Sequence, residues 1–146
     1  MKIRTKVIAT IAIFTILAFL FTPLAPIGQH IWPEPEAFNP EPTSLQIGLL
    51  ILYTFISSFG FAVGIAWLLY GYSYVTKVFT RQYAPWVYIA VFWASWSWWI
   101  HDIGHMTTHG SVAWLIFLEY TFHATIVVLA SITALAFVKG RKSITK

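Results

Sequence analysis

Long apolar runs separated by short polar breaks make up this chain, and no stretch alternates residue by residue as a half-buried strand would. The first run covers about residues 5–22, is rich in Ile, Ala, Phe and Leu, and closes at Pro23 and Pro26. A second covers 45–75, a third 85–107 after Pro85, and a fourth 112–138. Each comes close to or exceeds the roughly 20 residues a helix needs to cross about 30 Å of hydrocarbon. The pattern predicts an all-α integral membrane protein, a four-transmembrane-helix bundle forming one transmembrane domain over 1–146. The segment 23–44 is expected to be an outer loop.

The first run has a second reading. Lys2, Arg4 and Lys6 ahead of a short apolar stretch also have the shape of a signal peptide. No A-x-A cleavage site follows, and Pro26 directly after Ala25 opposes cutting there, so a retained helix is expected.

Charge gives the pattern a direction. Of the 146 residues 58% are hydrophobic and 10% charged, and the mean hydropathy is +0.72. Soluble domains carry about 25% charged residues. The nine basic residues are Lys2, Arg4, Lys6, Lys77, Arg81, Lys139, Arg141, Lys142 and Lys146. With four spans and both termini cytoplasmic, all of them lie on the cytoplasmic side, as the positive-inside rule requires. A multi-pass protein of the cell (cytoplasmic) membrane follows. The basic pI near 9.5 is then a product of topology, and no nucleic-acid partner is expected. The absence of cysteine excludes disulfides, thiolate zinc sites and iron–sulfur clusters. The outer segment HIWPEPEAFNPEPTS carries His30, Glu34, Glu36 and Glu41 among prolines. It reads as a stiff solvated connector, with a metal-collecting or partner-docking lip as the sharper alternative.

Chemistry is concentrated in WWIHDIGHMTTHG and LEYTFH, at the outer ends of the third and fourth runs. Ionisable groups at membrane depth are costly and mark functional sites by default. His101 and His105 are four apart, so they share a helix face, and His109 would continue that stripe if the helix continued. Asp102 lies close to the same face. Glu119 and His123 repeat the four-residue spacing on the next helix. A tight turn near Gly110 would put Glu119 level with His101 and His123 about one turn deeper. Imidazole with carboxylate suits a transition metal such as copper, iron or zinc, and inward-facing Glu and His pairs are how helix bundles build metal sites. His101, His105 and His123 are the first-choice ligands, Glu119 a fourth, and Asp102 a ligand or an orienter of a ligating imidazole. The bland reading is a Glu–His hydrogen bond that staples two helices without any cofactor. A b-type haem held by His101 or His105 together with His123 is a third reading.

Two local resemblances attach to these residues. HDIGH, His101 to His105, resembles the first histidine box of membrane fatty-acid desaturases and hydroxylases, which implies a di-iron centre. The chain carries no later H-x-x-H-H box, and its charge bias puts the stretch outside, so membership is not assigned. Asp102, His105 and His123 are similar in kind to the intramembrane Asp, Asn and His ligands of copper membrane monooxygenases of the methane and ammonia type. That similarity implies a small accessory subunit of a larger membrane oxidoreductase.

The third run holds Trp86, Trp93, Trp96, Trp98 and Trp99. The outermost of these suit the bilayer interfaces, whereas Trp93 and Trp96 lie deeper and either pack or wall a pocket. Gly60 and Gly64 form a G-x-x-x-G pair, read as close helix packing inside the bundle or in a homodimer. The expected function is a small membrane metal-binding protein with a His/carboxylate site near the extracytoplasmic face. If catalytic, its metal would activate oxygen or water near a hydrophobic substrate. The competing class is a non-catalytic structural subunit of an oxidoreductase.

Overall fold

The computed structural model describes residues 2–32, 42–107 and 112–141. Among these, all regular structure is helical, in the order α1 (Ile3–Leu20), a single 3-10 turn (Gly28–His30), α2 (Ser44–Tyr70), α3 (Tyr72–Val78), α4 (Ala84–Met106) and α5 (Val112–Lys139). The second run is thus divided: Gly71 ends α2, and the short α3 follows as a separate helix. Thr43 starts α2 with a capping box, its hydroxyl accepting from the Gln46 amide while the Gln46 side chain accepts from the Thr43 amide.

Three helices, α1, α2 and α5, are long and apolar enough to cross a membrane. The expectation of four rests on α4, whose 23 residues suffice in length. Its tryptophans and the His101–His105 stretch keep it below the hydropathy of the other three. The surface explains what the apolar helices face. Ile8, Ile16, Leu49, Ile116, Val127 and Val138 are all exposed, whereas Thr54, Ser57, Ser58, Ala62 and Ala66 of α2 are buried. Small and hydroxylated residues inside with large apolar ones outside is the reverse of a water-soluble core, and it fits contact with lipid.

The long helices pack in a row rather than a closed ring: α1 on α2, α2 on α4, and α4 on α5. Neighbours run antiparallel, as the pairs Thr10–Tyr70 and Phe19–Phe55 show for α1 and α2. Tyr53–Asp102 and Trp67–Tyr88 show it for α2 and α4. Gly64 sets the α2–α4 distance, because a Cβ there would lie 2.9 Å from the Trp96 Cβ and 3.2 Å from its backbone nitrogen. Gly60, one turn earlier, faces the Ser95 carbonyl. The G-x-x-x-G pair therefore packs within the chain, against α4.

Indole N–H groups tie the row together. Trp67 donates to the Tyr88 carbonyl at 3.0 Å, Trp93 to the Thr125 hydroxyl at 3.1 Å and Trp99 to the Ala18 carbonyl at 3.2 Å. The Tyr88 hydroxyl returns a bond to the Leu68 carbonyl. Each tryptophan supplies apolar bulk while its polar edge is satisfied on a neighbouring helix. At one end of the row, Val75, Phe79, Ala84, Val87 and Ala136 form a small apolar core, and the Thr80 amide bonds to the Gly140 carbonyl at 2.8 Å. The acidic residues Glu34, Glu36 and Glu41 lie outside the described residues. The segment that follows α1 folds back compactly, with Trp32 donating to the Phe21 carbonyl at 2.6 Å.

Candidate metal centre

The other end of the row carries the polar cluster. α4 supplies His101 and His105 from successive turns, and their Nε2 atoms lie 3.1 Å apart. α5 supplies Glu119 and His123, again from successive turns, with the His123 Nδ1 2.7 Å from Glu119 Oε2. The helices meet at Glu119, whose Oε1 lies 3.0 Å from the His105 Nε2 and 4.0 Å from the His101 Nε2. Gly104 allows this approach: a Cβ there would come within 2.9 Å of both Leu118 methyl carbons, so a side chain would hold α5 away.

His101, Glu119 and His123 each place one ligand atom so that all three lie within 4.8 Å of one another. His105 adds a further nitrogen beside Glu119. A tetrahedral ion with bonds of about 2.0–2.1 Å has ligand–ligand edges of about 3.3 Å. The separations of 2.7 to 4.0 Å around Glu119 bracket that edge, and His101, Glu119 and His123 form a three-donor group that could hold one ion. Three imidazoles and one carboxylate form a donor set suited to zinc, copper or iron.

The environment is graded. His101 is 7% exposed and walled by the rings of Trp98 and Phe122, with centroids 5.7 and 5.3 Å away. Its ring also lies edge-on to His123, at 5.3 Å. The Glu119 and His123 side chains, on the open flank of α5, are 44% and 51% exposed. The cluster is closed toward α4 and open on the side that α5 presents outward.

Asp102 is brought to a different place. It is 7% exposed and turns toward α2, where its Oδ1 accepts from the Tyr53 hydroxyl at 3.2 Å. The same oxygen is 3.7 Å from His101 Nδ1, on the ring edge opposite the cluster. Among the described residues, His101 Nδ1 and Asp102 Oδ2 are buried without a hydrogen-bond partner. Asp102 therefore stands on the far side of His101 from the cluster, 3.7 Å from Nδ1 and beyond hydrogen-bond length. His109 lies outside the described residues, and His30 is exposed on its own short turn, away from the cluster.

The register of α5 on α4 agrees with the one expected from a turn near Gly110. Leu118 against Gly104 and Thr125 against Trp93 fit that register, with Glu119 about level with His101 and the His123 ring reaching back to His101 from the next turn. Tyr53 was not anticipated at all. Its only trace in the sequence is a four-residue spacing from Ser57 within an apolar run. No known protein family matches the chain, nor does any curated protein or solved structure.

Proposed function

We propose that this chain is a multi-pass protein of the cell membrane that binds one transition metal ion near the extracytoplasmic face. His101, His105, His123 and Glu119 are the ligands, and Asp102 orients His101. The observation that carries the reading is that His101, Glu119 and His123, from two helices, each offer a ligand atom within 4.8 Å of the others, with His105 beside Glu119. Donors this close favour a single ion over a b-type haem, whose macrocycle needs a slot between two axial imidazoles. Metal analysis and an absorption spectrum of purified protein test it. Copper, iron or zinc is expected at one equivalent, falling below a tenth in His101→Ala and in His123→Ala. Metal-free protein in which both substitutions leave thermal stability unchanged would overturn the reading.

Four crossings with both termini cytoplasmic form part of the proposal. The antiparallel row supports it, because α1 begins, α2 ends, α4 begins and α5 ends at the same side. That side collects Lys2, Arg4, Lys6, Lys77, Arg81, Lys139 and Arg141, while the cluster lies at the other. The packing of α1 along α2 likewise supports a retained helix over a cleaved one. Because the chain has no cysteine, single-cysteine variants report sidedness directly. With a membrane-impermeant maleimide on intact cells, Gln29→Cys should label, whereas Lys77→Cys and Lys139→Cys should label only after permeabilisation. Labelling of Lys139→Cys on intact cells would rule out the even number of crossings.

A second reading, a subunit of a larger membrane oxidoreductase, is favoured by one observation. Among the described long helices α5 packs on α4, and a carboxylate and an imidazole half-exposed on its outer flank are costly against lipid. Mild-detergent purification from the native membrane should then yield stoichiometric larger partners. A chain that purifies alone and remains metal-loaded would sink that reading.

A further inference from the structure

The end of the row that carries the small apolar core also gathers cations. Phe79, in the link between α3 and α4, pairs with Arg141 as an isolated antiparallel bridge just past the end of α5. The Phe79 ring meets Phe137 edge-on at 5.1 Å, and the Thr80 amide donates to the Gly140 carbonyl at 2.8 Å. A Cβ at Gly140 would lie 2.6 Å from the Tyr83 ring, so the link closes tightly over the end of α5. This clasp brings four basic residues into one neighbourhood. Lys77 stands two before Phe79, Arg81 next to Thr80, Lys139 next to Gly140, and Arg141 in the bridge itself. All four are exposed.

Among the described residues no carboxylate neutralises them, and the ion pairs there all involve histidine. The acidic residues of the sequence are Glu34, Glu36, Glu41, Asp102 and Glu119. Asp102 and Glu119 sit in the polar cluster at the opposite end of the row, and the other three belong to the segment joining α1 to α2 at that opposite end. Like charges that backbone bonds hold together repel one another, and an anion from outside the chain relieves them.

The surroundings say which anion. Val138, directly before Lys139, is 82% exposed, and Phe137 is exposed too, so the cations cap a surface suited to acyl chains. Tyr72, Tyr74 and Trp86, on α3 and in the first turn of α4, are exposed at this same end. Such aromatic side chains favour the headgroup level of a bilayer. Arg81 and Arg141 offer the planar N–H forks that match phosphate. We propose that the clasp is a binding site for an anionic phospholipid. Its phosphate is held among Lys77, Arg81, Lys139 and Arg141, and its chains lie along Phe137 and Val138. A zwitterionic lipid brings a cation of its own into the cluster, and a soluble polyanion leaves the apolar surface uncovered. The site rests on the multi-pass reading above, which maleimide labelling tests by itself. Measured in detergent, lipid binding does not depend on sidedness, so the two can fail separately.

Native mass spectrometry of the purified full chain in mild detergent, titrated with dioleoyl phosphatidylglycerol or dioleoyl phosphatidylcholine, counts the bound lipid. One phosphatidylglycerol is expected to bind at least about tenfold more tightly than phosphatidylcholine, well within what several cations near an anionic headgroup supply. The triple variant Lys77→Gln, Arg81→Gln, Lys139→Gln should lose this preference while keeping its helical circular dichroism. Lys2→Gln, Arg4→Gln, Lys6→Gln removes the same charge from the start of the chain and should keep most of the preference. If the clasp variant does not fold, Arg81→Gln alone serves in its place and should weaken phosphatidylglycerol severalfold. Equal loss in the two triple variants would reduce the effect to diffuse attraction. Phosphatidylcholine binding as tightly as phosphatidylglycerol would remove the role of charge, and hexaglutamate displacing phosphatidylglycerol at matched concentration would make the occupant an acidic protein segment. Each of these three results overturns the proposal.

Discussion

Replacing Gly64 with leucine is expected to separate α2 from α4 and leave little folded protein to recover in detergent. The first atom added at Gly64 meets the Trp96 Cβ at 2.9 Å and the Trp96 amide nitrogen at 3.2 Å. These atoms belong to the α4 backbone or lie next to it, so no rotamer change relieves the overlap. Overpacking a core commonly costs about 1–3 kcal/mol, and a leucine against backbone lies at or beyond the top of that range. The loss also reaches the metal centre, because α2 supplies Tyr53 to Asp102 and α4 supplies His101 and His105. Gly60→Ala should be far milder, since its Cβ meets only the Ser95 carbonyl, at 3.2 Å. Thermal denaturation followed by circular dichroism should therefore rank the wild type above Gly60→Ala, Gly60→Ala above Gly64→Ala, and Gly64→Ala above Gly64→Leu. A Gly64→Leu protein as stable as the wild type would show that α2 and α4 do not meet at this glycine.

Glu119→Ala is expected to remove the metal altogether, with affinity falling by more than the roughly hundredfold typical of losing an orienting partner alone. Glu119 is the residue at which the helices meet, contacting His105, His101 and His123 at 3.0, 4.0 and 2.7 Å. It would therefore matter as a ligand or as a staple, and Glu119→Gln separates these roles. Glutamine keeps the length and one acceptor oxygen but loses the negative charge. If Glu119 ligates an ion, Glu119→Gln should lose metal almost as fully as Glu119→Ala, yet in chelator-treated protein it should melt close to the wild type. If the residue only staples helices, chelator should change nothing. Glu119→Ala would then melt lower by the same amount with or without it, on the order of 1–2 kcal/mol for hydrogen bonds within a membrane.

The helices themselves were legible in the sequence because a bilayer demands length and apolarity, both of which a linear scan detects. α4 agrees with the 85–107 expectation to within a residue at each end, helped by Pro85 in its first turn. The break at Gly71 was less visible, since the apolar character runs on through Tyr72 and Val75. On the site, the four-residue spacings picked out the two pairs of side chains that the structure brings together, because that spacing fixes a shared helix face whatever the surroundings. The register between α4 and α5 was legible from a turn placed near Gly110, and Leu118 against Gly104 and Thr125 against Trp93 agree with it. The partner of Asp102 was not legible. Tyr53 precedes Asp102 by 49 residues and meets it only because Gly60 and Gly64 draw α2 onto α4. HDIGH resembled a histidine box, but its acidic residue points at a tyrosine on one side of α4 while its histidines face the other.

α5 resembles a beam pinned at both ends. Ala136 is fully buried in the small core near Phe79, and Glu119 and His123 hold the far end. Between them Trp93 stacks on Phe122 and bonds to Thr125, and beside that contact lies an apolar recess of about 400 Å³ along Trp93 and Val128. The seventeen residues from Glu119 to Ala136 make a lever of about 25 Å at a rise of 1.5 Å per residue. A swing of only about five degrees about the Ala136 pivot would move Glu119 by about 2 Å, enough to take it out of reach of His105. Loading the cluster and clamping the beam would then be one event, and whatever fills or empties the mid-span recess would set how far the free end can travel.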